Sequence, residues 1–315
     1  MSAAADGGEA PVTPAPAALS SMWSVGRFDR LGDFLDAAAV LGFTHVEFSY
    51  ELPPDLLAEA NGHHDLVYTS LHNPCPKVRV ANGRWGHDLS LGSLDPDERA
   101  GAVALARTTI EHAALLGCRA VVLHMGAVTP VMELERSLHL AWPPETPAAP
   151  AFLQLRQRLV EERGRHAGPY VEAALRSLVE LAVHAQRRQV ALGIETRYWY
   201  GEIPSFDEMA RFLDLDGDTI GYWHDAGHAE VRARIGPDTQ RAWLERYGSR
   251  MLGCHLHDVE RLKDHRAAGR GDLPWDEIAT WLPPQGLRTC EFAGWNEPAH
   301  VAAGLALLRQ HGIVG

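Results

Sequence analysis

The chain lacks the features that would place it at once in several large classes of protein. Its four cysteines, Cys75, Cys118, Cys254 and Cys290, are few and widely spaced for 315 residues. They make neither a disulfide framework nor a CxxC zinc motif, and they read as reduced thiols. No apolar run reaches the roughly 20 residues of a membrane span, and no basic start leads into a long apolar core, so a cytoplasmic protein is expected. Basic residues are outnumbered, 29 Lys and Arg against 41 Asp and Glu, for a net charge of −12. Scattered as they are, they argue against nucleic acid or an anionic membrane as the main partner. No glycine fingerprint for a dinucleotide follows the first expected strand, which weakens an open doubly wound sheet.

What is present is an ordinary globular composition, 46% hydrophobic and 22% charged. Residues 1–20 are rich in Ala, Pro and Gly and are expected to form a disordered tail, leaving 21–315 as one domain. Short apolar runs predict strands at Met22–Val25, His45–Ser49, Leu66–Leu71, Ala120–His124, Val190–Glu195, Thr219–Asp225, Met251–His257 and Leu287–Phe292. Between them, amphipathic stretches predict helices at Asp95–Leu116, Tyr170–Arg188, Ser205–Leu213, Asp238–Tyr247, Trp275–Leu282 and Glu297–His311. Strand and helix repeated eight times favour a closed (β/α)8 TIM barrel of about 250 residues.

The polar residues cluster where such a barrel keeps its working groups, at the C-terminal ends of strands. Glu195 ends VALGIE, Asp225 ends TIGYWHD with His228 three residues on, His255 and His257 end MLGCHLH, and Glu291 sits in LRTCEF. His72 after YTSL and His124 after AVVL extend the pattern to two more strand ends. Each has a plainer explanation alone: a helix cap for Glu195 or Asp225, a solvated His228, a core histidine satisfied by backbone. Glu291 resists one, because an unpaired buried carboxylate is costly. Taken together, the four strand ends fit a divalent metal site with oxygen and nitrogen ligands.

These residues also carry a resemblance. From about residue 22 to 311 the chain resembles the xylose isomerase-like barrel superfamily, which includes sugar-phosphate isomerases and epimerases, inosose dehydratases and an apurinic endonuclease branch. The strings are HVEFSYE, LHNP, VVLHMG, LGIET, WHDAGHAE, CHLHDVER, GRGDLPWDEI and CEF. The resemblance implies a metal quartet of Glu195, Asp225, His255 and Glu291, with the two glutamates doubling as an acid/base pair. It implies substrate or second-metal contacts from His228 and His257, and a hold on substrate hydroxyls by Arg261; His72 and His124 are further substrate-binding candidates. Three carboxylates and one imidazole suit Mn²⁺, Mg²⁺ or Co²⁺ better than a closed structural zinc site, with Zn²⁺ still compatible. The implied activity is isomerisation or epimerisation of a sugar, sugar phosphate or polyol through an enediolate.

Two departures stand out. The ketose epimerases carry a glutamate six residues after the fifth-strand ligand, where this chain has Gly201 with Glu202 next to it. The stretch Ala127–Pro169 is long for a connection and is expected to be a lid, an oligomer contact or a surface insertion. Two alternatives follow from the same resemblance. One is a three-zinc phosphodiesterase using His72, His124, Glu195, Asp225, His228, His255, His265 and Glu291, against which stands Lys263 in place of an aspartate ligand, with Asp264 adjacent. The other is a lyase dehydrating an inositol-like ring, or a catalytically silent barrel.

Overall fold

The computed structural model describes residues 14–61, 65–142 and 149–315. Most of the expected tail, and Pro143 and Pro144 of the long connection, lie outside the described residues. The strands are β1 (Ala17–Ser20), β2 (His45–Phe48), β3 (Val67–His72), β4 (Ala120–Leu123), β5 (Ala191–Glu195), β6 (Ile220–Asp225), β7 (Met251–Leu256), a hairpin of β8 (Asp258–Glu260) and β9 (Lys263–Arg266), and β10 (Leu287–Cys290). All but the hairpin pair in parallel and close into a barrel in the order β1-β10-β7-β6-β5-β4-β3-β2. The helices are α1 (Leu31–Val40), α2 (Pro54–Glu59), α3 (Pro96–Leu115), α4 (Met132–Ala141), α5 (Pro150–Arg188), α6 (Met209–Leu213), α7 (Ala226–Ile235), α8 (Gln240–Tyr247), α9 (Trp275–Trp281) and α10 (Pro298–Gln310). The fold is a (β/α)8 TIM barrel, as the repeated pattern predicts. None of the described helices is long and apolar enough to cross a membrane.

Two sequence expectations need correction. Met22–Val25 is not the first strand: Ser21–Ser24 form a 3-10 turn, and the strand is Ala17–Ser20, inside the segment read as tail. With one leucine in four residues it gives a weak apolar signal, yet pairing on both edges, Leu19 with Cys290 and with Val46, is enough to hold it. The helix expected from Tyr170 begins at Pro150 and runs through Pro169. One internal proline removes one backbone bond, and the half-helix before it is tied to the barrel by Arg163, described below.

Inside the barrel Trp223 packs with Ala120, Val122 and Leu287. Glycines on both neighbouring strands make room for it: a Cβ on Gly193 would come within 2.7 Å of the indole, and one on Gly253 within 2.5 Å. His255 meets the same ring edge-on at 5.2 Å, so the tryptophan forms a floor under the strand ends. All four cysteines are buried and free.

Candidate metal centre

Side chains alternate across a strand, and at the C-terminal end of the barrel the inward ones converge. In register, Glu195 pairs with Trp223 and Asp225 with His255. One ligand atom each from Glu195, Asp225, His255 and Glu291 falls within 4.8 Å of all the others. His255 Nδ1 lies 2.7 Å from Glu195 Oε1, 3.3 Å from Glu291 Oε2 and 3.6 Å from Asp225 Oδ2. Exposure is 0% for Glu195, Asp225 and His255 and 1% for Glu291. Three carboxylates at one buried point repel each other unless a cation joins them.

The local bonding suits a divalent ion. His255 Nε2 donates to Glu47 Oε1 at 2.9 Å, which turns Nδ1 to the three carboxylates, where a bound cation would take its lone pair. Glu47, at the end of β2, also accepts from Ser70 Oγ at 2.6 Å and Thr289 Oγ1 at 3.4 Å. Glu291 Oε1 is buried with no hydrogen-bond partner, an orphan lone pair beside the quartet. The donor set of three carboxylates and an imidazole therefore fits a hard or borderline divalent ion. Burial, joined by the charges of Glu195 and Asp225, pushes the Glu291 carboxyl up, whereas Glu195 is held well below the usual range because Arg197 and His124 outweigh its burial.

Asp225 has a second duty, which the sequence alone allowed as its plain explanation. Its Oδ1 caps α7 by accepting the His228 N–H at 2.7 Å. His257 donates from Nε2 to Asp225 at 2.9 Å and accepts the His265 N–H on Nδ1 at 3.0 Å, so both ring nitrogens are committed to holding Asp225. Gly227 lies against this imidazole, where a Cβ would sit 2.0 Å from Cε1. His228 turns Nδ1 to the Thr196 carbonyl at 3.1 Å and Nε2 toward Asp264 at 3.6 Å.

On the other side of Glu195, His72 and His124 stand edge to face with Nε2 atoms 3.0 Å apart. His124 is 29% exposed and marks the open side of the centre. Arg197, two residues past Glu195, was not anticipated from the sequence; it bonds Glu195 Oε2 and His124 Nε2, and its Nε donates to Glu202 Oε1 at 3.1 Å. Glu202, next to Gly201, holds Arg197 and accepts the Trp199 N–H at 2.9 Å.

The long connection fastens this same loop. Arg163 on α5 clamps Glu208 through two bonds of 2.8 Å and reaches the carbonyls of Tyr200 and Glu202 at 2.9 and 3.0 Å. Buried Glu135 on α4 accepts the N–H groups of Tyr200 and Gly201, and Arg232 takes the Trp199 carbonyl. His139 lies on Trp199 at 4.2 Å. Tyr198, held by the Leu262 carbonyl, covers His228.

Other candidates sit apart from the quartet. Arg261 is exposed at the hairpin turn with φ 62°, and no described hydrogen bond or ion pair links its guanidinium to the ligands. Asp258, in the CHLHD string, accepts from Gly269, Leu273 and Trp275, so it shapes the GRGDLPW loop rather than joining the centre. Lys263 lies over the Trp295 ring at 4.4 Å. Glu47 gave the same signal as Glu291, a carboxylate inside the apolar run HVEF, and sequence reasoning passed over it.

Solved structures share this architecture at identities that speak for the fold alone. 3-Keto-D-glucoside 4-epimerase YcjR from E. coli matches with TM-score 0.66 at 13% identity, covering 94% of this chain and 99% of that one. L-Ribulose 3-epimerase matches with TM-score 0.65 at 17% identity over 95% and 94%. A D-tagatose 3-epimerase-like protein matches with TM-score 0.63 at 16% identity over 94% and 96%. In sequence, uncharacterized protein y4fM of Sinorhizobium fredii (strain NBRC 101917 / NGR234) is 31% identical over 120 residues, 38% of this chain and only 37% of that relative's length. The family model for the xylose isomerase-like TIM barrel matches residues 35–311, and the chain belongs to that family.

Proposed function

We propose that the protein is a divalent-metal-dependent isomerase or epimerase acting on a sugar, sugar phosphate or polyol through an enediolate. The observation that carries this is the buried quartet of Glu195, Asp225, His255 and Glu291, with Glu291 Oε1 left unpartnered beside it. The names of solved structures sharing the fold, all sugar epimerases or similar to one in the cases above, support the same substrate class.

A divalent cation held by the quartet would polarise a substrate carbonyl and offset the charge that develops on the enediolate. The chain's own groups do the rest. Glu195 and Glu291 approach from different strands and face one centre, so one can take the proton from the carbon beside the carbonyl and the other can return it. His72, His124 and His228 line the space beside the quartet where substrate hydroxyls would lie. Tyr50 against His72, and Tyr198 against His228, wall the centre from bulk water.

The test is proton exchange in D₂O. Metal-loaded protein is offered a panel of ketoses, phosphosugars and inosose, and deuterium is sought at the carbon next to the carbonyl. Exchange with a product one water lighter would point to the lyase, exchange without a new product to a missing substrate, and no exchange across the panel would count against the enediolate. A second reading, the multi-zinc phosphodiesterase, draws on two further groups of ligand-type atoms, His72 with His124 and Glu195, and His228 with His257 and His265. Nicking of abasic DNA with about three zinc ions per chain would establish it instead.

A further inference from the structure

Beside the quartet lies a second convergence of ligand atoms that shares Glu195. His72 Nε2, His124 Nε2 and Glu195 Oε2 form it, with separations of 3.0, 2.7 and 3.7 Å. His72 Nδ1 faces the Asn73 carbonyl at 3.4 Å, which turns Nε2 toward His124 and Glu195. Two imidazole nitrogens and a carboxylate oxygen converging on one place make a position suited to a positive charge.

A guanidinium supplies it. Arg197 Nη1 is 2.5 Å from His124 Nε2 and hydrogen-bonded to Glu195 Oε2, while Glu202 grips Nε from behind at 3.1 Å. The guanidinium is permanently charged and has donors but no acceptor, so it can face lone pairs only. Its side chain is 11% exposed, a deep position for an arginine whose charge Glu202 alone could balance at the surface.

We propose that Arg197 is a built-in cation filling the His72, His124 and Glu195 position, so that the centre takes one divalent ion where its ligand atoms would otherwise take two. The inference rests on the reading of the quartet as a metal site. Its chemical consequence concerns the reaction class. A guanidinium has no open coordination position, so it cannot bind water and lower its pKa to yield hydroxide at neutral pH. It can hold Glu195 and donate to a substrate oxygen. The residue therefore turns the second position away from hydrolysis and leaves it as a fixed positive wall of a sugar site.

The test counts ions. Wild type and Arg197→Met, both full length, are stripped with chelator, dialysed against saturating Mn²⁺ and analysed for manganese per chain, with circular dichroism and gel filtration as the check on folding. The variant should bind one more Mn²⁺ per chain than wild type, and adding His124→Ala should remove that extra ion. A folded Arg197→Met that gains no ion overturns the proposal, as does a wild type that already binds two. Should Arg197→Met not fold, Arg197→Gln and the wild-type count carry the same decision. A wild type that binds none sinks the quartet reading, whereas the difference between variant and wild type still decides the role of Arg197.

Discussion

His255 Nε2 donates to Glu47 Oε1 across 2.9 Å, and this one bond decides which face of the imidazole looks into the carboxylate cluster. Glu47→Gln weakens the orienting partner without changing its shape. Affinity for Mn²⁺ should fall about 10- to 100-fold, the usual cost of losing the group behind a metal-bound histidine. Competition against a fluorescent chelator measures it. An unchanged dissociation constant would mean that Glu47 is packing alone.

Glu291→Gln removes one of the two groups able to move the substrate proton. Turnover on any substrate the wild type converts should drop by roughly 10² to 10⁴. The ketose panel in D₂O provides the assay, and a Gln variant with full turnover refutes the acid/base assignment.

Arg163→Met leaves Glu208, 15% exposed, without its partner. Stability should fall by about 1–3 kcal/mol, seen as a lower denaturation midpoint, because a half-buried carboxylate loses its charged partner and keeps only the Ser205 N–H. The pH dependence changes as well. Although burial works against ionisation, Arg163 and Ser205 hold the Glu208 carboxyl below its ordinary 4.5. Its contribution is thus complete above about pH 4.5 and is lost as pH falls through the lower folded value. The wild type should show that loss on acidification, and Arg163→Met should show a smaller one, with only the Ser205 contribution left.

Gly227→Ala would place a methyl 2.0 Å from His257 Cε1. Ring and helix must move apart, and Asp225 then loses the imidazole that holds it. A destabilisation of about 1–3 kcal/mol is expected, in line with overpacking of a filled interior. Metal affinity should fall with it; a variant with wild-type Tm and wild-type Mn²⁺ binding would show that the helix yields freely.

The barrel was legible because buried parallel strands are short apolar runs and the helices between them carry a 3.6-residue stripe. The strand of Ala17–Ser20 was hidden, since one leucine among two alanines and a serine bears no such stamp, and the segment holds its place through partners distant in sequence. Acid and imidazole residues interrupting apolar runs were visible for the same physical reason that makes them costly to bury. Arg197 was not: it follows its strand in a loop, where a charged residue is ordinary, and only the fold brings it against His124. Arg163 was equally silent, one arginine among several on a long amphipathic helix.

The bonds that secure the loop after β5 come mostly to its main chain: Arg163 and Arg232 take the carbonyls of residues 199, 200 and 202, and Glu135 takes the amides of 200 and 201. Peptide groups are the same whatever side chain they carry. The aromatic residues at 198–200 can therefore be exchanged over evolutionary time, or in a library, while the path of the backbone past the centre is preserved. A scaffold of this kind separates the side chains that face the centre from the upkeep of the frame around it.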